Sequence, residues 1–139
     1  MFELFEHKAD IGVRGYGKTL EEAFQECAKA MFSVMSNLKK VKARESIELR
    51  VRARNEEELL VAWLNELLFE KGTKEMLFSE FKVKISKEKE GLVLKGTVKG
   101  EKMNHKKHEM KTEVKGATYS GLKVIKEKEK YLAQCIVDV

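Results

Sequence analysis

The chain has 139 residues, a length that suits one domain with a substantial hydrophobic core. Its hydrophobic share is 42% and its charged share is 37%, with both signs interspersed, which favours a folded, ion-paired surface over disorder. The sequence shows no run near the ~20 apolar residues of a membrane span. It has no signal peptide and only two cysteines, so we expect a cytoplasmic protein without a disulfide framework.

The net charge leaves the class of partner open. The formal charge is +5 and the pI is about 9.1, values that would suit a polyanionic partner such as RNA. A lysine-rich solvated surface explains the same charge and is the favoured interpretation. No segment joins basic clusters to the exposed aromatics of a single-strand binder. Direct contact with tRNA therefore stays open.

The first third of the sequence predicts an extended segment and then a helix. Residues 2–16 read as extended, with one break at residues 7–10. Thr19 and Glu22 form a capping box that begins the helix, which should end near residues 36–37. Apolar side chains recur at helical spacing and define one buried face: Leu20, Phe24, Cys27, Met31 and Val34.

A strand and a second helix follow. Residues 45–53 alternate between apolar and charged side chains, the pattern of a half-buried strand. Asn55 is expected to cap the second helix and Gly72 to end it. The apolar face of this helix consists of Leu60, Trp63, Leu64, Leu67 and Leu68.

The second half of the sequence predicts strands. Residues 81–85 and 92–98 alternate apolar and polar side chains and suit a hairpin, whereas residues 101–109 are polar and read as a loop. Three more strands are expected, at residues 111–119, 121–127 and 131–138. The pattern predicts an α+β fold, with two main helices packed on one face of a mixed, mostly antiparallel sheet in a single domain of residues 1–139.

Asp10 and Asp138 are the only two aspartates, and every other acid is a glutamate. A short carboxylate suits metal coordination, capping or a tight turn, and position alone favours a turn at Asp10. If the strand at 131–138 lies beside the N-terminal strand, Asp10 and Asp138 converge. The carboxylate of Val139, taken as the C-terminus, would add a third anionic group, which a cation could neutralise. Otherwise Asp138 belongs to a solvated chain end.

Other polar clusters carry weaker signals. His105 and His108 form an H-x-x-H pattern, but no cysteine accompanies it and lysines surround it, so a basic loop is favoured over a zinc site. Lys111, Glu113 and Lys115 alternate as on a solvated strand face. No nucleophile elbow, phosphate-binding loop or Cys–His pair occurs, which disfavours an independent metal-dependent hydrolase.

Segments along nearly the whole chain resemble, in order, the motifs of the archease family. The matching segments are residues 6–12, 17–24, 30–35, 63–68, 108–122 and 137–139. They correspond to the family's H-T-A-D-[IV] motif, its first helix, its W-L-N-E-L-L helix, its H-x-x-K-x-E-[VI]-K segment and its terminal [FVI]-D-[VI]. The departures are Lys8 for Thr, Asn37 for Asp, Gly116 for Ala and Ser120 for His.

The resemblance implies an accessory protein and not an enzyme in its own right. Archeases serve the RtcB-type RNA ligase, which joins tRNA halves with GTP and divalent metal. They promote guanylylation of the ligase and its multiple turnover, and they broaden its NTP use. The resemblance also implies a cation site at Asp10, Asp138 and Val139, with Ca²⁺ expected and Mg²⁺ or Mn²⁺ as alternatives. Residues implied to face the ligase or support the site are His7, His108, Lys111, Glu113, Lys115 and Tyr119.

A second function class is a chaperone or modulator of RNA-processing enzymes such as tRNA methyltransferases. This role would rest on a broad surface and would not need the two aspartates. Neutralising the aspartates therefore separates the two functions.

Overall fold

The eight strands divide into two sheets in the computed structural model, which describes residues 1–139. The elements in chain order are β1 (Phe2–His7), β2 (Asp10–Gly17), α1 (Leu20–Met35), a one-turn 3-10 helix (Leu38–Lys40), β3 (Glu45–Ala53), α2 (Glu56–Lys74), β4 (Met76–Glu88), β5 (Gly91–Lys102), β6 (Gly116–Ala117), β7 (Lys123–Glu127) and β8 (Lys130–Asp138).

Every strand pairing in the two sheets is antiparallel. The five-stranded sheet has the order β1-β2-β8, and the far edge of β8 pairs with β6 at one end and with β7 at the other. The three-stranded sheet has the order β3-β5-β4. The α+β class predicted from the sequence is confirmed, and the strands form two sheets where the pattern suggested one.

The two helices lie between the sheets. Helix α1 packs against β2 and β8 on one side and β4 on the other, while α2 packs against β3, β5, β6 and β7. Trp63 is fully buried and its Nε1–H donates to the carbonyl of Phe24 at 3.0 Å, which ties α2 to α1. The ring of Phe32 lies 5.6 Å from that of Phe78 and 5.3 Å from that of Phe81, which ties α1 to β4.

Both helix starts follow the local sequence signals. Thr19 Oγ1 accepts from the N–H of Glu22 at 3.1 Å, and Asn55 Oδ1 accepts from the N–H of Glu58 at 2.9 Å. Helix α1 ends at Met35, as expected. The predicted end of α2 at Gly72 is wrong, because the helix continues to Lys74 and Glu75 caps it in the left-handed region with φ 51°. Lys71 and Lys74 favour this longer last turn by facing the negative end of the helix dipole.

The predicted strand at residues 111–119 is mostly wrong, since only Gly116 and Ala117 pair in a sheet. The N–H groups of Lys111 and Thr112 donate instead to the carbonyls of Met35 and Val34. A helix leaves its last carbonyls without intrahelical partners, and this segment satisfies two of them for α1. The loop predicted at residues 101–109 starts two residues too early, because β5 continues to Lys102.

Candidate functional site

The two aspartates meet at one end of the five-stranded sheet. The β1–β2 turn consists of Lys8 and Ala9, with Lys8 at φ 54°, so that His7 pairs with Asp10. Strands β2 and β8 pair from Gly17↔Tyr131 to Ile11↔Val137, and one further step in this register places Asp10 opposite Asp138. The condition stated for convergence, that β8 lies beside β2, is therefore met.

Both carboxylates belong to the outer face of the sheet. Side chains alternate between faces along a strand, and Val13, Cys135 and Val137 are fully buried against the helices. Asp10 and Asp138 have the opposite parity and therefore point away from the core. Neighbouring strands are separated by about 4.8 Å, so two facing carboxylates at this end repel each other unless a cation lies between them.

No protein group neutralises these two carboxylates. Neither Asp10 nor Asp138 makes an ion pair or a side-chain hydrogen bond in the structure. The turn interpretation required a hydrogen bond between the Asp10 side chain and its own backbone, and the structure has no such bond. His7 pairs with Asp10 across the hairpin, and its Nδ1 is a buried atom without a hydrogen-bond partner. A buried nitrogen left unpaired beside two unpaired carboxylates fits an additional ligand at this position.

The donor set is incomplete from side chains alone. No three His, Cys, Asp or Glu side chains in the structure are grouped so that they could hold a metal ion. Ca²⁺ takes six to eight oxygen ligands, so Asp10 and Asp138 would need further oxygens. Val139, which directly follows Asp138, could supply them, as could backbone carbonyls or water.

Strand β6 extends this end of the sheet and brings Lys115 close to Asp138. The N–H of Lys115 donates to the carbonyl of Asp138 at 2.7 Å, and Gly116 pairs with Asp138. Asn65 of α2 holds the strand from its other side. Its Nδ2 donates to the carbonyl of Ala117 at 3.2 Å and its Oδ1 accepts from the N–H of Ala117 at 2.8 Å.

Asn65 is a site residue that the sequence analysis did not single out. A two-way amide pair with Ala117 makes it the clamp that fixes β6 and thereby the backbone of Asp138. The signal in the sequence that could have identified this role is an asparagine inside a predicted helix. Asn is unfavourable inside a helix unless its side chain has a specific partner.

The other residues expected at the site are spread more widely. Lys111, Glu113 and Lys115 are exposed along the loop that connects β5 to β6 and passes the end of α1. Tyr119 is 66% exposed just beyond β6. Thr118 and Ser120 anchor this turn, since the Thr118 hydroxyl donates to the carbonyl of Ile136 at 2.8 Å and the N–H of Ile136 donates to the carbonyl of Ser120 at 3.1 Å.

His108 lies in a separate cluster around Glu101. It is 3% exposed, its Nδ1 accepts from the N–H of Asn104 at 2.9 Å, and its Nε2 is 2.9 Å from Glu101 Oε2. Because Nδ1 is the acceptor, the proton lies on Nε2, which donates to the Glu101 carboxylate. His108 therefore anchors the loop after β5 and does not join the aspartates.

Glu101 is a second residue whose structural role the sequence did not predict, since the polar pattern assigned it to an exposed loop. It is 6% exposed and accepts from Lys107 Nζ at 2.7 Å and from the N–H of Lys42 at 2.8 Å. Burial alone would raise the pKa of this carboxyl. The hydrogen bonds from His108, Lys107 and Lys42 outweigh burial and lower the pKa to about 2.

The two cysteines are core residues, and Cys27 lies on the buried helix face that the sequence predicted. Cys27 and Cys135 are fully buried free thiols, and Cys27 lies 3.8 Å from the carbonyl of Val13. Burial raises the pKa of Cys27 well above its ordinary value and that of Cys135 to about 12. Both thiols are therefore protonated and unreactive at neutral pH. Neither helix of the structure is both long and apolar enough to cross a membrane.

Sequence comparison places the chain among archeases. The profile of the Archease protein family matches residues 2–139. The chain is 44% identical to protein archease of Thermococcus kodakarensis over 139 residues, which cover 99% of this chain and 98% of that protein. It is 40% identical to protein archease of Pyrococcus furiosus, with the same coverage of both chains.

Two solved structures share the fold. The solution structure of protein 1598 from Methanobacterium thermoautotrophicum matches with a TM-score of 0.88 at 40% identity, covering 99% of this chain and 98% of that one. The crystal structure of a Thermotoga maritima archease, described as a possible chaperone, matches with a TM-score of 0.64 at 22% identity, covering 99% of this chain and 96% of that one. The second match supports the fold alone.

Proposed function

The chain belongs to the archease family, and from this membership together with the carboxylate pair we propose that it is a non-catalytic activator of an RtcB-type tRNA-splicing ligase. In this role it promotes guanylylation of the ligase and multiple turnover, and it broadens the NTPs that the ligase accepts. The protein acts in the cytoplasm, where tRNA and ligase are present.

The observation that carries the proposal is the unneutralised pair of Asp10 and Asp138. Two facing carboxylates without a cationic partner cost folding free energy, which a bound divalent cation would recover. Asp10, Asp138 and Val139 would hold the ion, with Ca²⁺ favoured because all these donors are oxygens. Mg²⁺ and Mn²⁺ suit carboxylates too, and the His7 nitrogen would favour Mn²⁺ among them. When bound, the ion would supply positive charge for the phosphate groups of the ligase reaction.

The remaining residues position this site and present it to the ligase. Asn65 and the N–H of Lys115 fix β6 against β8, so the Asp138 backbone is held from two sides. The exposed side chains of Lys111, Glu113, Lys115 and Tyr119 lie along the approach to this end of the sheet. They offer both charge signs and one large aromatic contact, the mixture found at protein interfaces.

The proposal is tested by guanylylation of the cognate ligase in the presence of Asp10→Asn or Asp138→Asn. Each substitution keeps the side-chain volume and removes one charge, so we expect a folded protein that has lost most of its stimulation. Glu129→Gln, an exposed carboxylate in the β7–β8 turn without an ion pair, is the matched control. Guanylylated ligase is quantified after a limited reaction with labelled GTP.

The same variants separate cation binding from activation. CaCl₂ at about 100 times Kd should stabilise the wild type by about 2.7 kcal/mol in thermal unfolding and leave the Asp variants unaffected. Normal stimulation by both Asp variants would disprove the role of the carboxylate pair. Failure of the wild type itself to stimulate would disprove the ligase function.

A second function is a chaperone or modulator of RNA-processing enzymes such as tRNA methyltransferases. Two exposed aromatic side chains favour it: Phe69 on α2 is 60% exposed and Tyr119 beyond β6 is 66% exposed. Large exposed apolar groups are common at surfaces that bind other proteins. Protection of a methyltransferase from aggregation should then fall with Phe69→Ser and persist in Asp10→Asn.

A further inference from the structure

The outer face of the three-stranded sheet carries a cluster of cations that folding does not explain. Residues pointing away from the helices on β3, β4 and β5 include six exposed basic side chains, which we call the basic face: Arg50, Arg52, Lys82, Lys84, Lys95 and Lys99. The same face has three exposed acids, Glu48, Glu80 and Glu88, and the buried Glu101 has the same parity on β5. Glu88 pairs with Arg50 at 3.8 Å and with Arg52 at 3.5 Å.

One row of this face consists entirely of cations. In the strand register Arg50 is opposite Lys95, and Lys95 is opposite Lys84, so three basic side chains cross the sheet side by side. Lys82, Lys84 and Lys95 have no carboxylate within salt-bridge distance. Like charges directly opposite each other on adjacent strands destabilise a sheet. The fold therefore accepts a repulsion here that an anionic partner would remove.

The shape of the face suits an extended polyanion. The row spans two inter-strand spacings of about 4.8 Å each, and Lys82 and Lys84 on β4 are separated by about 6.8 Å along the strand. A shallow groove of about 610 Å³ runs over this region and is lined by Arg50, Lys82, Lys84, Lys95 and Thr97, among others. Cations thus extend in two directions on an open surface.

The composition of the face favours nucleic acid over an acidic protein as its partner. Its two apolar side chains of outward parity, Leu77 and Val93, are 0% and 2% exposed, so the face offers no apolar anchor of the kind that dominates protein interfaces. Binding to phosphates needs only lysine and arginine. The face also has no aromatic side chain on which an unpaired base could stack, which favours a double helix over a single strand.

We infer that the basic face binds the phosphate backbone of double-helical RNA. The choice of RNA over DNA rests on the proposed function, because the ligase acts on tRNA. The binding of phosphates by the basic face does not depend on the proposed function. We expect recognition to be independent of base sequence, since phosphate contacts carry no sequence information and side chains cannot read the deep, narrow major groove of double-helical RNA. The four cations in closest register, Arg50, Lys82, Lys84 and Lys95, supply the main contacts.

The test is a fluorescence-anisotropy titration of a labelled RNA duplex with the protein alone, repeated from about 50 to 200 mM KCl. We compare wild type with Lys84→Gln/Lys95→Gln and with Lys123→Gln/Lys130→Gln. The second pair lies on the exposed parts of β7 and β8 and lowers the net charge by the same amount. The first pair should weaken binding by about tenfold or more and reduce the salt slope by about 2, while the control pair stays near wild type.

Several results would overturn the inference. Three of them are an equal loss of affinity in the two double variants, a binding constant that does not change with salt, and tighter binding to a single RNA strand than to the duplex. A fourth is competition by polyglutamate as effective as that by unlabelled duplex, which would assign the face to an acidic protein. The titration contains no ligase, so its failure does not touch the proposed function. Conversely, RNA binding by a wild type that leaves the ligase unstimulated would support this inference and refute the proposed function.

Discussion

At the scale of single residues, the hydrogen-bond donors around a carboxylate decide which role it has. The carboxylates of Asp10 and Asp138 have no hydrogen-bond or ion-pair partner in the protein, whereas the Glu101 carboxylate accepts from His108, Lys107 and Lys42. A carboxylate that has its donors is a structural anchor. A carboxylate without them, facing another, is available for a ligand.

Glu101 predicts a specific pH dependence of stability. Its folded pKa of about 2 is below its ordinary value of 4.5, so its contribution is fully present above about pH 5 and is lost as the pH falls towards 2. Glu101→Gln should lower the free energy of unfolding by about 1–3 kcal/mol at neutral pH, because it leaves Lys107 without its ion pair. The deficit relative to wild type should shrink on acidification.

Urea unfolding of both proteins across this pH range measures the deficit directly. Glu129→Gln again serves as control, since Glu129 has no ion pair to lose. A deficit that stays constant from neutral pH down to the acid limit would mean that the Glu101 charge does not stabilise the fold.

At the scale of elements, local signals predicted the helix starts and the strand at residues 45–53, but not the full length of β4 and β5 or the contacts between distant segments. Thr19 and Asn55 cap their helices as the sequence indicates, because a cap involves residues only three apart. The segment at 111–115 could not be assigned this way, since its partners are the carbonyls of Met35 and Val34.

From the sequence, the candidate site could be predicted only on the condition that the last strand lies beside the N-terminal strand. The sequence showed that Asp10 and Asp138 are unusual, yet their convergence depends on β8 pairing with β2, across more than a hundred residues of chain. The alternation of apolar residues specifies a strand but not its neighbour. The clamp by Asn65 was hidden for the same reason, because its partner Ala117 is 52 residues away.

The Asn65 clamp gives the prediction at this scale. Asn65→Ala removes both hydrogen bonds to Ala117 and should lower the free energy of unfolding by about 1–2 kcal/mol. It should also speed amide exchange at Ala117, because β6 is held otherwise only by β8. Asn65→Asp keeps the acceptor and loses the donor, so its free energy of unfolding and its Ala117 exchange rate should lie between those of wild type and Asn65→Ala.

Hydrogen exchange followed by NMR reports the Ala117 amide, and urea unfolding reports the whole domain. Exchange at Ala117 that is unchanged in Asn65→Ala would show that β8 alone holds this strand. An Asp variant as impaired as the Ala variant would show that the donated bond carries the whole effect.

At the scale of the whole molecule, the two helices separate two surfaces of opposite character. The carboxylate pair belongs to the outer face of the five-stranded sheet, and the basic face is the outer face of the three-stranded sheet. A protein partner at the first surface and a polyanion at the second would not compete for space. The net charge of +5 thus conceals an anionic end and a cationic face.

The measurement that tests the central claim most directly is the number of ligation turnovers that a catalytic amount of the cognate RtcB-type ligase completes. It is made with wild type, Asp10→Ala and the control Glu129→Gln. We expect multiple turnovers with wild type and with the control, and a single round with Asp10→Ala although this variant is folded. Multiple turnovers with Asp10→Ala, or a single round with wild type, would contradict the account.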